Sequence, residues 1–286
     1  MNIKIHENGW TVIVEDLDLK TATIEDIHTL GRLVTTNIAV VLRNQNLTPQ
    51  DEQRILHTLG EVENFIDLKE AEPVWKSFIV PNTNDEILRV TGAPDDHGEE
   101  GLFGHVSDLD WHCNRPAQPN RMPVVWLYGI SGTKGSRTSW TNGLLAYENA
   151  TAEFLDELKD LQMICGYRRG NYTEMAFEHD NVFNEHYTPS VINVNERVGN
   201  RKSIFCPYLQ VRNFVGMTEE ESMPLLEKIG EYVTQDKYCY HHDWEDGDVV
   251  ISDQTEAIHK RWAFDGMPTR LVHRGTCDLS KVSFDK

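Results

Sequence analysis

Two short histidine segments stand far apart in this chain: Leu109-Asp110-Trp111-His112-Cys113-Asn114, and Ala257-Ile258-His259 leading to Arg270-Leu271-Val272-His273-Arg274. Imidazoles so distant in sequence serve one site only if the fold closes strands onto one another, as a β-barrel does. A pair brought together that way can hold a mid-row metal such as Fe(II) and leave coordination positions open. An arginine fixed nearby can grip a carboxylate through its planar fork of donors.

The rest of the chain agrees with a single domain over residues 1–286. Apolar runs are short and of strand length: Thr11-Val12-Ile13-Val14, Ile38-Ala39-Val40-Val41-Leu42, Val124-Val125-Trp126-Leu127-Tyr128, Thr138-Ser139-Trp140-Thr141 and Val249-Val250-Ile251-Ser252. Helical spacing falls between them. Ile24, Ile27, Leu30 and Leu33 share one face. Thr48 and Pro49 open a second helix that Gly60 closes, and Phe154, Leu155, Leu158 and Leu161 mark another within 152–161. Thr218 with Glu221 forms a capping box ahead of Leu225, Leu226, Ile229 and Val233, with Pro224 interrupting its start. The predicted fold is therefore mainly β with flanking helices, and residues 1–60 form an α/β lead-in. Residues 61–122 and 166–202 have poor periodicity and read as active-site loops or a lid.

Composition narrows the function classes. The chain is 39% hydrophobic and 26% charged, with a net charge of −19, which argues against binding a phosphate backbone. No apolar run reaches the ~20 residues that span a bilayer. Met1 to Asn8 lacks a signal-peptide layout. The five scattered cysteines read as reduced thiols, so the expected location is the cytoplasm and the expected partner a small molecule, with homo-oligomerisation left open.

Five segments in order resemble the taurine dioxygenase (TauD/TfdA-like) family of Fe(II)- and 2-oxoglutarate-dependent oxygenases. They are Arg43 to Gln50, Trp111-His112, Gly135 to Gly143, Trp244 to Asp253, and His259 with Arg270 and Arg274. The resemblance implies a double-stranded β-helix, a jelly-roll barrel. It implies that His112 and His259 ligate iron, that Thr138 and Arg270 bind the distal carboxylate of 2-oxoglutarate, and that O2 is the second co-substrate. Arg274 would assist 2-oxoglutarate or substrate, and Asp108, Tyr208 and Leu209 fall at substrate-contacting positions. An acid at 108 would suit an amine or amino acid. Trp75-Lys76 stands where taurine-using members carry a histidine, so taurine itself is not expected.

One position departs from the family. The third ligand, a carboxylate two residues after the first histidine, is here Asn114. An amide oxygen is neutral and a poorer donor. It leaves three expectations: an oxygenase with a weak or water-completed third position, a halogenase-type site open to halide, or an impaired homologue that binds without turnover. Asp110 would share a strand face with His112 and is a conceivable substitute ligand, while Cys113 should point away. His97, His241 and His242 read as ordinary surface or core histidines.

Overall fold

Local signals start most elements where the sequence places them. Thr23, Thr48 and Thr218 each cap a helix, with the acid three residues on returning the bond to the cap's own N–H. In the computed structural model, residues 1–65, 78–93, 108–167, 181–182, 184, 186–267 and 269–284 are described. The chain begins β1 (Asn2–Ile5), β2 (Val12–Glu15), α1 (Ile24–Asn37), β3 (Ala39–Leu42), α2 (Pro49–Leu59), β4 (Leu88–Thr91), β5 (Leu109–His112), β6 (Val124–Ser131) and β7 (Arg137–Thr141). It continues α3 (Gly143–Glu148), α4 (Ala152–Leu158), β8 (Met163–Tyr167), β9 (Asn181–Val182), β10 (Ile192–Asn195), β11 (Arg201–Ile204), β12 (Val211–Phe214) and α5 (Glu219–Val233). β13 (Cys239–Asp243), β14 (Val249–Asp253), β15 (His259–Arg261) and β16 (Leu271–Cys277) complete it.

Two sheets dominate. One has seven strands in the order β1-β2-β3-β14-β6-β16-β4, antiparallel except for the β2–β3 pair; the other has four, β13-β7-β15-β5, all antiparallel. Alternation along the strands divides the core. Val12, Val14, Val40, Leu42, Trp126, Val249 and Ile251 face α1 and α2, meeting Ile27, Leu30, Val34, Ile55, Leu56 and Leu59. Their neighbours Ala39, Val41 and Val250 turn inward against Trp140 and Tyr240 of the smaller sheet and Trp244 just after β13. A further cluster packs α3 and α5 against the β8–β12 region and includes Cys113.

Several expectations need adjustment. Ile24 is exposed, so the buried face of α1 is Ile27, Leu30, Gly31 and Val34. α4 ends at Leu158, short of Leu161, and Pro224 lies inside α5 without breaking it. Within 61–122, β4 pairs with β16, and within 166–202 β10 and β11 form a hairpin, so neither stretch is all loop. Residues 66–77, 94–107, 168–180, 183 and 185, and with them Trp75-Lys76 and His97, lie outside the described residues. Gly60 has an extended φ of 178°; it is glycine because a Cβ would fall on Asp278, not for a left-handed turn. No helix among the described residues is long and apolar enough to cross a membrane.

Candidate metal and co-substrate site

The smaller sheet brings the two histidines together. His259 on β15 pairs in register with His112 on β5, and the imidazole centroids lie 4.2 Å apart at 52°. Neighbouring ties hold each strand. Thr141 N donates to the Ile258 carbonyl at 3.0 Å, Gly143 N to the Glu256 carbonyl at 2.9 Å, and Arg201 pairs with buried Glu256. Arg197 reaches Asp253 at 3.1 Å and Thr255 Oγ1 at 2.7 Å, which fixes the turn ahead of His259.

Burial sets the protonation of the pair. The His112 pKa is pushed down to about 4, chiefly because the ring is out of water, and His259 is held well below the usual imidazole range by burial, by His112 and by Arg274. Both rings are neutral at pH 7. His112 Nδ1–H donates to the Asp110 carbonyl at 2.6 Å, which leaves Nε2 as a lone-pair donor. No partner for either ring nitrogen of His259 is found among the described residues.

Asn114 follows on the same segment. Its backbone N donates to Gln254 Oε1 at 2.9 Å, while its side-chain Nδ2 is buried without a partner among the described residues. A half-turn of that amide presents the oxygen instead. Two neutral imidazoles and an uncommitted amide fit a divalent transition metal. No cluster of three His, Cys, Asp or Glu side chains suited to a metal occurs among the described residues. Asp110 is engaged by a neighbouring lysine. A bulge sets two residues of β5, Asp110 and Trp111, against Lys260 of β15 between the pairs His259–His112 and Arg261–Leu109, and the Asp110 carboxylate turns to Lys260 at 3.4 Å. Cys113 is fully buried in the α5-side cluster, with its thiol pushed up to about 11 by burial.

Arg274 is close enough to act on both imidazoles, and Arg270 is near Arg261, which acts on His112. Arg270, 3% exposed, donates from Nε to Ser136 Oγ at 2.9 Å and lies over the Phe264 ring at 5.2 Å. Burial, with Arg261 adding repulsion, pulls its pKa down to about 9, and it has no carboxylate partner among the described residues. Arg274 is pulled to about 10 by burial; it lies over Phe65 at 5.2 Å, and its Nε is buried without a partner among the described residues. Thr138 is buried, and its Oγ1 accepts from Trp244 Nε1 at 2.9 Å, so its own O–H remains to donate. Ser136 and Thr138 flank Arg137, whose side chain leaves for Asp243, so the two hydroxyls share the inward side.

Three further sequence candidates have partners within the protein. The Asp108 carboxylate is taken up by Lys260 at 2.8 Å and Ala263 N at 2.6 Å, so it is already satisfied within the protein. Tyr208 packs on Gly230 of α5, and Leu209 is buried beside it in a 3₁₀ turn. Gln210 of that turn accepts from Cys113 N at 2.9 Å. Sequence reading passed over Gln210, Gln254 and Ser136. Only Ser136, two residues before Thr138 in a motif already singled out, carried a usable signal.

The mainly β fold thus gathers a buried histidine pair and buried arginines in one chain. The chain belongs to the taurine catabolism dioxygenase TauD, TfdA family, whose profile matches residues 8–276. It is a member of an oxidoreductase family with relatives named as α-ketoglutarate-dependent dioxygenases. It is 22% identical over 273 residues to the α-ketoglutarate-dependent 2,4-dichlorophenoxyacetate dioxygenase of Cupriavidus pinatubonensis, covering 92% of each chain. It is 26% identical over 207 residues to pentalenolactone F synthase of Streptomyces arenae, covering 67% of this chain and 68% of that one. The fold is shared with AAD-2 in complex with Mn(II) and N-oxalylglycine (TM-score 0.75, 18% identity, 96% of both chains). A taurine dioxygenase from Burkholderia xenovorans shares it too (TM-score 0.70, 20% identity, 93% of this chain and 85% of that one).

Proposed function

We propose that this chain is an Fe(II)- and 2-oxoglutarate-dependent oxygenase that hydroxylates a small polar molecule, with the two facing sheets forming a double-stranded β-helix around the site. The register pairing of His112 with His259 carries this reading, since it sets two neutral imidazoles side by side. Each would hold the iron through one ring nitrogen, with the Asn114 amide at the third position. Bound iron with 2-oxoglutarate supplies the activation of O2 that breaks a C–H bond.

The chain's own residues orient and shield. Ser136 fixes the Arg270 guanidinium, whose remaining donors would take the distal carboxylate of 2-oxoglutarate as a fork, and Thr138 would add its hydroxyl. A dianion there would return the countercharge that burial denies Arg270. Arg274 would serve the co-substrate or an anionic group on the substrate. With Asp108 closed on Lys260, the case for an amine substrate loses its basis.

Asn114 leaves two rival outcomes, a halide-accepting site and a binding homologue without turnover, and one set of assays separates them. Anaerobic iron titration should show binding that is lost in His112→Ala and in His259→Ala. Aerobic protein with iron and 2-oxoglutarate should release succinate. Asn114→Asp should tighten iron at least about tenfold, roughly 1.4 kcal/mol, by restoring an anionic donor. Succinate from Asn114→Asp but not from the wild type would identify the binding homologue, and a chloride-dependent product would identify the halogenase. Iron uptake unchanged in both histidine variants would end the proposal.

A further inference from the structure

The two strands that carry the histidines are fastened unequally. β15 pairs residue for residue with β7, His259 with Trp140, Lys260 with Ser139 and Arg261 with Thr138, and β13 extends the first row with Tyr240 beside Trp140. β5 is the end strand of the sheet, and only two register pairs join it to β15, with the Asp110–Trp111 bulge between them. A strand held so loosely can slip, and a slip of one residue turns every side chain to the other face. His112 therefore needs more than its backbone ladder to stay opposite His259.

Side chains on the outer face supply it. Lys260, next in sequence to His259, projects to the face opposite the histidines. Its Nζ donates to Asp108 Oδ2 at 2.8 Å and lies 3.4 Å from Asp110 Oδ1, so one ammonium grips β5 on both sides of Leu109. Asp108 also accepts from Ala263 N at 2.6 Å, which fastens the start of β5 to the chain leaving β15. An aromatic ring confines the ammonium further. Nζ lies 4.5 Å from the centroid of Trp262, and that indole donates to Oγ of Ser139, the partner of Lys260 on β7, at 2.7 Å. The Lys260 side chain is only 14% exposed, so this is not a freely solvated surface pair. The grip reaches the metal side through one residue. Asp110 gives its carboxylate to Lys260, and its carbonyl accepts from His112 Nδ1–H at 2.6 Å. Whatever fixes Asp110 thus fixes the direction in which His112 presents Nε2.

We propose that Lys260 is a positioning residue for the metal site: it staples the β5 bulge to β15 and, through Asp110, holds the His112 ring at the angle that His259 requires. The same staple keeps the Asp110 carboxylate on the outer face, so the third position is left to Asn114. Lys260 touches neither metal nor substrate, and it acts only by way of the residue that orients a ligand. Outer groups of this kind are worth about ten- to a hundredfold in metal affinity.

This inference rests on the oxygenase reading above, and one titration tells their failures apart. Full-length metal-free protein is titrated anaerobically with Co(II), read by affinity and by the visible ligand-field bands, beside urea unfolding of the same samples. Lys260→Met should bind Co(II) about tenfold more weakly and with shifted bands, and Lys260→Arg should restore most of both. A role in stability alone would lower the unfolding midpoint and leave the bands of bound Co(II) where they were. Asp108→Asn combined with Asp110→Asn releases the staple from the other strand while Lys260 keeps its place on Trp262. That double variant should reproduce the Lys260→Met change, and it carries the test if Lys260→Met folds poorly. Affinity and bands unmoved in folded Lys260→Met, while His112→Ala abolishes binding, overturn the staple and leave the oxygenase reading standing. Co(II) taken up equally by the wild type, His112→Ala and His259→Ala sinks that reading, and the staple then has no site to position.

Discussion

At the scale of single residues, the site is governed by buried positive charge with too little negative charge to match it. Arg270 and Arg274 are pulled down to about 9 and about 10 by desolvation, yet neither has a carboxylate in contact among the described residues. Such a guanidinium is a site prepared for an anion, because a ligand carboxylate relieves a penalty the fold has already incurred. Orientation then matters as much as charge. Ser136 Oγ is held by its own bond to the Thr133 carbonyl at 2.7 Å, so its acceptor lone pair is aimed at Arg270 Nε. Ser136→Ala should therefore leave Arg270 buried but free to swing. Losing one charge-assisted bond of about 1.5 kcal/mol should weaken 2-oxoglutarate roughly tenfold in an anaerobic titration of the iron-loaded protein, with iron affinity unchanged. An unaltered 2-oxoglutarate affinity would mean that Arg270 is fixed by its packing on Phe264 and not by the serine.

At the scale of elements, close backbone approach decides where the histidine strand lies. A Cβ on Gly143 would stand 2.4 Å from the Ile204 carbonyl oxygen and 2.6 Å from that of Glu256, three residues ahead of His259. Gly199, with a φ of +72° and nothing within 4 Å, is glycine for the opposite reason. Gly143→Ala should cost about 2 kcal/mol or more in urea unfolding and loosen iron binding by shifting β15, while Gly199→Ala should cost about 1 kcal/mol and leave iron alone. Equal losses from the two would show that the Gly143 contact relaxes freely. The same distinction explains what could be read from the sequence. Caps at Thr48 and Thr218 and the apolar strands are local, so they were legible, and the spacing of His112, His259, Arg270 and Arg274 pointed to the candidate site. Register is not local. The β5 bulge that sends Asp110 to Lys260, the alignment of Tyr240 and Trp140 with His259, and the contacts of Gln210 and Gln254 depend on strands far apart in sequence pairing one way. Alternation alone put Asp110 beside His112, and it failed because one extra residue reverses the face.

For the whole molecule, charge is distributed against its own total. The chain carries a net −19, yet Arg261, Arg270 and Arg274 are buried near a pair of uncharged imidazoles, an arrangement that would favour a small anion inside an acidic exterior. The fold holds those imidazoles neutral at a cost that grows in acid. His112 titrates at about 4 in the folded chain and near its ordinary 6.5 when unfolded, and His259 and His242 shift in the same direction. Between those two values the unfolded chain binds more protons than the folded one, so stability must rise with pH across the window and be fully present above about 6.5. His112 alone should contribute on the order of 3 kcal/mol to that rise. Metal-free protein unfolded in urea at steps from pH 4.5 to 7.5 should show the slope, and His112→Gln should flatten part of it, leaving the share owed to His259 and His242. Adding a divalent metal at pH 7 should stabilise the wild type further, because the folded state alone presents both neutral rings, and that increment should shrink as protons compete for the nitrogens. A stability curve flat from pH 4.5 to 6.5, or one unmoved by His112→Gln, would mean that water reaches the rings and that the dry, neutral pocket on which the metal site depends does not exist.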